Sequence, residues 1–226
     1  MNQAYFLTGT DTEVGKTFVT CALLHRAGQL GLTAAGLKPV AAGTDADGRN
    51  EDVENIRAAS NFVLPASTVN PYCFAPAVAP HLAAAEAGVR IDFATIRAAC
   101  AAAQRQADVV IVEGVGGFRV PLGPDGDSAD LALALDLPLI LVVGLRLGCI
   151  NHALLSVEAI AARGLKLAGW VANRIDPAMA RSDDNLATLQ TLIAAPLLGV
   201  VPHRPPGGSA GAAACLRLPA ETGLRF

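Results

Sequence analysis

The chain has 226 residues, of which 52% are apolar and 16% charged, a size and composition suited to one α/β domain over 1–226 with a substantial core. A formal net charge of −3 without a Lys/Arg cluster speaks against a nucleic-acid partner. No apolar run has membrane-spanning length, and no basic segment with a cleavable apolar stretch opens the chain, so the expectation is a cytosolic (cytoplasmic) protein with no membrane partner.

The first apolar run, Ala4-Tyr5-Phe6-Leu7, predicts a strand over 4–8. Directly after it comes Gly9-Thr10-Asp11-Thr12-Glu13-Val14-Gly15-Lys16-Thr17. Residues 16–29 then read as a helix, with Val19, Leu23, Leu24 and Ala27 near the helical period and Gly31 at its end. Strand, glycine-bounded loop and helix together make a phosphate cradle, in which loop N–H groups and the helix N-terminus face the anion. Lys16 would reach the β- and γ-phosphates of a nucleotide, and the Thr17 hydroxyl would hold Mg2+. The spacing departs by one residue from G-x-x-x-x-G-K-[ST], because Thr10 stands at the first glycine and Gly9 lies one earlier.

A second strand over 33–39 ends in Leu37-Lys38-Pro39, and a polar loop leads to a helix over 51–60. Residues 65–80 are proline-rich and read as irregular. Segments 81–88 and 92–106 read as helices, the latter with Asp92 as N-cap. Residues 108–113 and 139–143 are continuous apolar strands, the kind a parallel sheet covers on both faces. A helix over 151–162, a strand over 165–172, a helix over 183–193 and a strand over 197–201 complete the alternation, and a mobile Pro/Gly-rich tail follows over 203–211. The expected fold class is α/β: a doubly wound, mostly parallel sheet with helices on both faces, P-loop NTPase-like, with ligands at the carboxyl ends of the strands.

Candidate polar groups fall at those ends. Glu113 closes the run VVIVE before Gly114-Val115-Gly116-Gly117, where a second Mg2+ ligand belongs beside a P-loop; the alternative is a surface acid. Lys38 either points at the same phosphates or snorkels at the surface. Asp52 is either an acid favouring a helix dipole or a third oxygen ligand for Mg2+. Asn173 either pairs with a purine edge or forms a turn. His25, His81, His152 and His203 lack metal-ligand spacing, although His81 and His152 lie near helix starts, where either could line a pocket. The five scattered cysteines form no C-x-x-C pair and read as reduced, mostly buried thiols.

Seven segments, TGTDTEVGKT, AGLKPVAAG, TVNPYCFAPAVAPH, VEGVGG, LVVGLRLGCINHALLS, LAGWVAN and PLLGVVP, occur in an order that resembles the dethiobiotin synthetase family over most of 4–202. The resemblance implies an ATP- and Mg2+-dependent cyclo-ligase acting in biotin biosynthesis. It would carboxylate 7,8-diaminopelargonate with CO2 and close the cyclic urea through a carbamate and a carbamic-phosphoric anhydride. It implies catalytic roles for Thr12, Glu13, Lys16 and Lys38. It implies nucleotide contacts from Glu13, Val14, Gly15, Lys16, Thr17, Phe18, Glu113, Asn173 and Pro202, with Asn173 facing the adenine. Thr17, Asp52 and Glu113 would hold the metal. Thr12, Lys38, Ala42, Val115 and Gly116 would line the diamine site. Gly148, Cys149, Ile150 and Asn151 would receive the substrate carboxylate across a homodimer interface, since a helix N-terminus favours an anion.

Two positions depart from that family. Ala42 stands where a serine is common, with Thr44 nearby, and Asn185 stands where a tyrosine helps hold the carboxylate. A nucleotide-switched partitioning ATPase of the same broad fold is the rival reading. Such proteins carry a second loop lysine five residues before the P-loop lysine, and that position here is Asp11.

Overall fold

The apolar runs assemble into one twisted sheet. In a computed structural model, which describes residues 3–223, the elements follow one another as β1 (Gln3–Gly9), α1 (Lys16–Gln29), β2 (Ala34–Leu37), β3 (Val40–Ala42), α2 (Glu51–Ala59), α3 (Ala66–Val69), β4 (Tyr72–Phe74), α4 (Pro80–Glu86), α5 (Phe93–Gln104), β5 (Val109–Glu113), β6 (Pro121–Gly123), β7 (Gly126–Asp127), α6 (Ser128–Leu135), β8 (Leu139–Gly144), α7 (Cys149–Ala162), β9 (Leu167–Asn173), α8 (Ser182–Leu192), β10 (Leu197–Val201) and α9 (Gly208–Ala212). Two short 3-10 turns, Ala213–Cys215 and Pro219–Thr222, close the described chain.

Six parallel strands lie in the order β10-β9-β8-β1-β5-β2. Every residue of β5 and β8 is buried, which requires cover on both faces. On one face Phe6, Val110 and Val112 pack against Ile96 and Cys100 of α5 and Ala129 and Ala132 of α6. On the other, Leu7, Ile111 and Val142 meet Val19, Leu23 and Leu24 of α1. Trp170 of β9 centres a third cluster with Ala153 of α7 and Leu189 of α8. Strand order reverses about β1, with β5 and β2 on one side and β8, β9 and β10 on the other. The crevice outside the carboxyl end of β1 is therefore the switch point where ligands of such sheets bind.

The long elements match expectation. α1 starts at Lys16, and Asp92 caps α5 by accepting the N–H groups of Ala94 (3.2 Å) and Thr95 (2.9 Å). Four segments differ. The strand over 33–39 is shorter, β2 stopping at Leu37, because Pro39 offers no N–H and Lys38 donates its N–H to Val69 O (2.9 Å) outside the sheet, and β3 beyond it has no sequence-predicted counterpart. The stretch 65–80 is not irregular throughout: it holds α3, and β4 pairs in parallel with β3. The hairpin β6–β7 and helix α6 lie in a region with no sequence-predicted element. α6 has a capping box, with the Asp127 carboxylate on Ala129 and Asp130 N–H groups and Asp130 returning to the Asp127 N–H (2.9 Å).

The tail is the fourth. α9 packs along α1, and Ala212, Ala213, Leu216 and Leu218 are buried. Gly199 (φ 154) lies against this tail so closely that a Cβ there would sit 2.0 Å from Cys215 O.

Candidate active site

The loop after β1 is bent back on itself. A Cβ on Gly9 would lie 2.7 Å from Val14 Cγ2 and 3.0 Å from Lys16 Cγ, so the strand must end in glycine for the loop to fold over it. Glu13 (φ 60) and Gly15 (φ 86) make the left-handed bends that bring the chain into α1. The Asp11 carboxylate accepts the Thr12 N–H (2.8 Å) and an Arg146 Nη2 (2.5 Å) from the loop after β8. Asn173 Nδ2 donates to Val14 O (2.9 Å) from the end of β9, and a Cβ on Gly15 would meet that nitrogen at 2.1 Å.

Beside the loop lies a cluster of charge, buried at Lys38 and Glu113 and half-exposed at Asp52. Lys38 Nζ, at the end of β2, stands 2.5 Å from Glu113 Oε1 and 3.2 Å from Asp52 Oδ2. Thr17 Oγ1 donates to the same Glu113 Oε1 (2.7 Å), and Thr20 Oγ1 donates to Glu113 Oε2 (2.7 Å). Lys38 is 4% exposed and Glu113 1%. Neither is the surface residue that the bland alternatives described. Burial alone would lower the Lys38 ammonium, but the Glu113 and Asp52 carboxylates outweigh it, and its pKa lies above the ordinary lysine value. Burial opposes ionisation of Asp52, yet Lys38 and the Thr17 hydroxyl hold its carboxyl below the usual range.

Lys16 sits differently. Its Nζ donates to Asp11 O (2.9 Å), and the residue is 7% exposed. Burial pushes its ammonium down to about 8, Lys38 adds to that shift, and Glu113, Asp52 and Asp11 oppose it. A poorly hydrated cation is one that gains most from an incoming polyanion.

Loop and cluster open into one cavity of about 820 Å3. Thr12, Glu13, Gly15, Lys16, Thr17, Phe18, Lys38, Ala42, Asp52, Val115 and Gly116 line it. Val14 and Glu113 lie immediately behind the lining, as buried supports. Thr44 is not on the lining, so no hydroxyl replaces the one absent at Ala42. Asn173 and Pro202 stand outside the cavity at the ends of β9 and β10. Gly148, Cys149, Ile150 and Asn151 are also outside: α7 begins at Cys149, two residues earlier than expected, with Gly148 (φ 93) as its N-cap and Asn151 exposed. Asn185 Nδ2 donates to Arg181 O (2.9 Å) within α8. His152 is exposed on α7 and His81 half-buried in α4, its buried Nδ1 without a partner; neither lines the cavity.

Sequence reasoning missed Thr20, Asn50, Val120 and the wall Ala77-Val78-Ala79-Pro80. The i, i+3 relation of Thr20 to Thr17 was the available signal for the first. Asn50 caps α2, accepting the Val53 N–H (3.2 Å) and donating to Gly43 O (2.7 Å), which fixes Asp52 in the first turn beside the cavity.

Two carboxylates and a hydroxyl converging here are hard oxygen donors of the kind Mg2+ takes. The Lys38 ammonium between the carboxylates shows that their field already selects a cation. These residues fit the metal that a P-loop nucleotide brings with it.

A family model described as an AAA domain matches residues 3–209. The ATP-dependent dethiobiotin synthetase BioD of Aromatoleum aromaticum is 64% identical over 220 residues, which cover 96% of this chain and 98% of that protein. Among solved structures, the septum site-determining protein MinD complexed with Mg-ADP from Pyrococcus horikoshii aligns with a TM-score of 0.57 at 15% identity, over 94% of this chain and 86% of that one. The MinC:MinD cell division protein complex of Aquifex aeolicus aligns with a TM-score of 0.56 at 15% identity, over 99% and 97%. At such identities the structural likeness is one of fold.

Proposed function

The chain belongs to the dethiobiotin synthetase family, and we propose that its 820 Å3 cavity is where ATP and 7,8-diaminopelargonate meet. It is an ATP-dependent ligase of biotin biosynthesis. The observation that carries the site assignment is the convergence of the P-loop lysine and the Lys38–Glu113–Asp52–Thr17 cluster on one cavity.

The chemistry joins two anions. One amine of the diamine takes up CO2 to give a carbamate, whose oxygen attacks the γ-phosphorus of ATP and expels ADP. The second amine attacks the resulting carbamic-phosphoric anhydride, phosphate leaves, and the cyclic urea closes. A carbamate and a triphosphate repel each other, so fixed cations at the meeting point lower the barrier. Lys16 faces the triphosphate from the loop. Lys38, buried and held protonated by its carboxylates, faces the carbamate oxygen. Thr12 lies beside Gly116 on the diamine side of the loop, its Oγ1 3.6 Å from where a Gly116 Cβ would be. Glu13 (φ 60) makes a left-handed bend, which would turn the loop N–H groups toward the phosphates. Thr17, Asp52 and Glu113 would hold Mg2+, which when bound neutralises the β- and γ-phosphate oxygens. Phe18 flanks the nucleotide at the start of α1, and Pro202 lies beside Asn173, next to the base. Asn173 commits its amide N–H to Val14 O, leaving its side-chain carbonyl to accept from a base amino group.

Val115, Gly116 and Ala42 line the diamine's path within the protomer. Gly148–Asn151 are not on the lining of that cavity; near them in the chain Leu147 is 91% exposed and Leu155 57%. One exposed leucine just before α7 and another nearly two turns into it suit a second copy of the chain. The dimer would place this segment at the open end of the partner's cavity to receive the substrate carboxylate. No helix among the described residues is long and apolar enough to cross a membrane, and we assign the enzyme to the cytoplasm.

The test is a phosphate-release assay with diaminopelargonate, bicarbonate and Mg-ATP, omitting each in turn. Release that requires all of them supports the assignment. ATP turnover indifferent to the diamine would instead fit a switch ATPase and sink it.

A further inference from the structure

One turn beyond Thr17, α1 carries a second hydroxyl in the same direction. Thr20 is fully buried (0%), lines no part of the cavity, and donates to Glu113 Oε2 at 2.7 Å. A mid-helix threonine usually turns its hydroxyl back to the carbonyl four residues earlier; this one spends it on a carboxylate of the neighbouring strand. The two oxygens of Glu113 are thereby divided. Oε1 meets Thr17 Oγ1 (2.7 Å) and Lys38 Nζ (2.5 Å), two residues that line the cavity, and Oε2 meets Thr20, which does not.

That division matters for which cation the site accepts. Ca2+ takes carboxylates through one or both oxygens at about 2.3–2.6 Å, whereas Mg2+ requires octahedral, one-oxygen donors at about 2.0–2.1 Å. Thr20 anchors Oε2 away from the cavity, so the oxygen that a cation entering past Thr17 and Lys38 would meet is Oε1. We propose that Thr20 is a positioning residue that makes Glu113 a one-oxygen ligand and so sets the preference of the site for a small octahedral dication, Mg2+ or Mn2+, over Ca2+. The proposal rests on the assignment of Glu113 as a metal ligand. Outer partners of metal ligands characteristically control affinity by about 10–100-fold.

The experiment measures Mn2+ binding to the ADP-loaded full chain by electron paramagnetic resonance, then displaces the Mn2+ with Ca2+. Thr20→Val keeps the shape and removes the donor, and Thr20→Ala serves if valine prevents folding. Thr20→Ser restores the donor. The expected result is Mn2+ affinity weakened about 10-fold in the valine or alanine variant, Ca2+ affinity weakened by less than about 2-fold, and both within about 2-fold of wild type in the serine variant. Equal weakening of the two ions, or unchanged Mn2+ affinity, would overturn the proposal. Glu113→Gln is the control: if it leaves Mn2+ binding intact, the ligand assignment itself fails, whereas a loss there beside an unaffected Thr20→Val overturns the role of Thr20 alone.

Discussion

Replacing Lys16 by methionine should abolish activity and yet make the nucleotide-free protein more stable. Burial depresses the Lys16 pKa from its usual 10.5 to about 8. At about 1.4 kcal/mol for each pH unit, holding this charge in the folded state costs about 3 kcal/mol. Methionine keeps the aliphatic packing, removes the charge, and loses the bond to Asp11 O, worth about 1 kcal/mol. A net gain of about 2 kcal/mol at pH 7 is expected. The sign of the pH dependence follows from linkage. Between pH 8 and 10.5 the unfolded wild-type chain holds more protons at this lysine than the folded one, so wild-type stability rises there relative to the variant. Below pH 8 the full penalty is present; above 10.5 it is gone. The assay is urea unfolding of both proteins without nucleotide at pH 7, 9 and 10.5, paired with the phosphate-release measurement. A variant less stable than wild type at pH 7, or a gap that does not narrow with pH, would refute the electrostatic argument. Turnover within threefold of wild type would refute the phosphate role.

Gly15→Ala places a methyl group 2.1 Å from Asn173 Nδ2 at φ 86; ATP affinity should fall more than 10-fold, and calorimetry with ATP showing wild-type binding would contradict the described loop packing. Asn151→Ala should raise the KM for the diamine by about 5-fold, the worth of one hydrogen bond, and leave the KM for ATP near wild type; equal changes would count against a carboxylate site there. Gly199→Ala drives a Cβ against Cys215 O and should cost about 3 kcal/mol, read as a fall in Tm of roughly 9 °C; an unchanged Tm would show that the tail yields freely.

What was legible in the sequence followed from periodicity and from glycine. The apolar strands VVIVE and LILVVG announce their two-sided burial in composition alone, and Gly15-Lys16-Thr17 after a strand marks both the loop and the first turn of α1. The bonds of Lys38 with Glu113 and Asp52 were not legible, because residues 75 and 14 positions apart meet only once the sheet order is known. α6 escaped because its eight residues are apolar nearly all round, leaving the Asp127–Asp130 box as its sole local mark. Pro205, Pro206, Gly207 and Gly208 read as loose chain, and α9 begins only at Gly208, while the chain beyond 211 buries Ala212, Leu216 and Leu218 beneath α1 and β10, which no local pattern marked. Segment 148–151 reads as a site in sequence but stands apart from the cavity of its own chain.

Asn173 has a consequence for how such enzymes are dissected. Its amide is a splint for the phosphate loop, pinned to Val14 O and pressed on Gly15. Trimming it would slacken the grip on every nucleotide alike, so a drop in turnover would say nothing about which base is read. Only the ratio between purine and pyrimidine triphosphates, taken in the same mutant, separates discrimination from the stiffness of the loop.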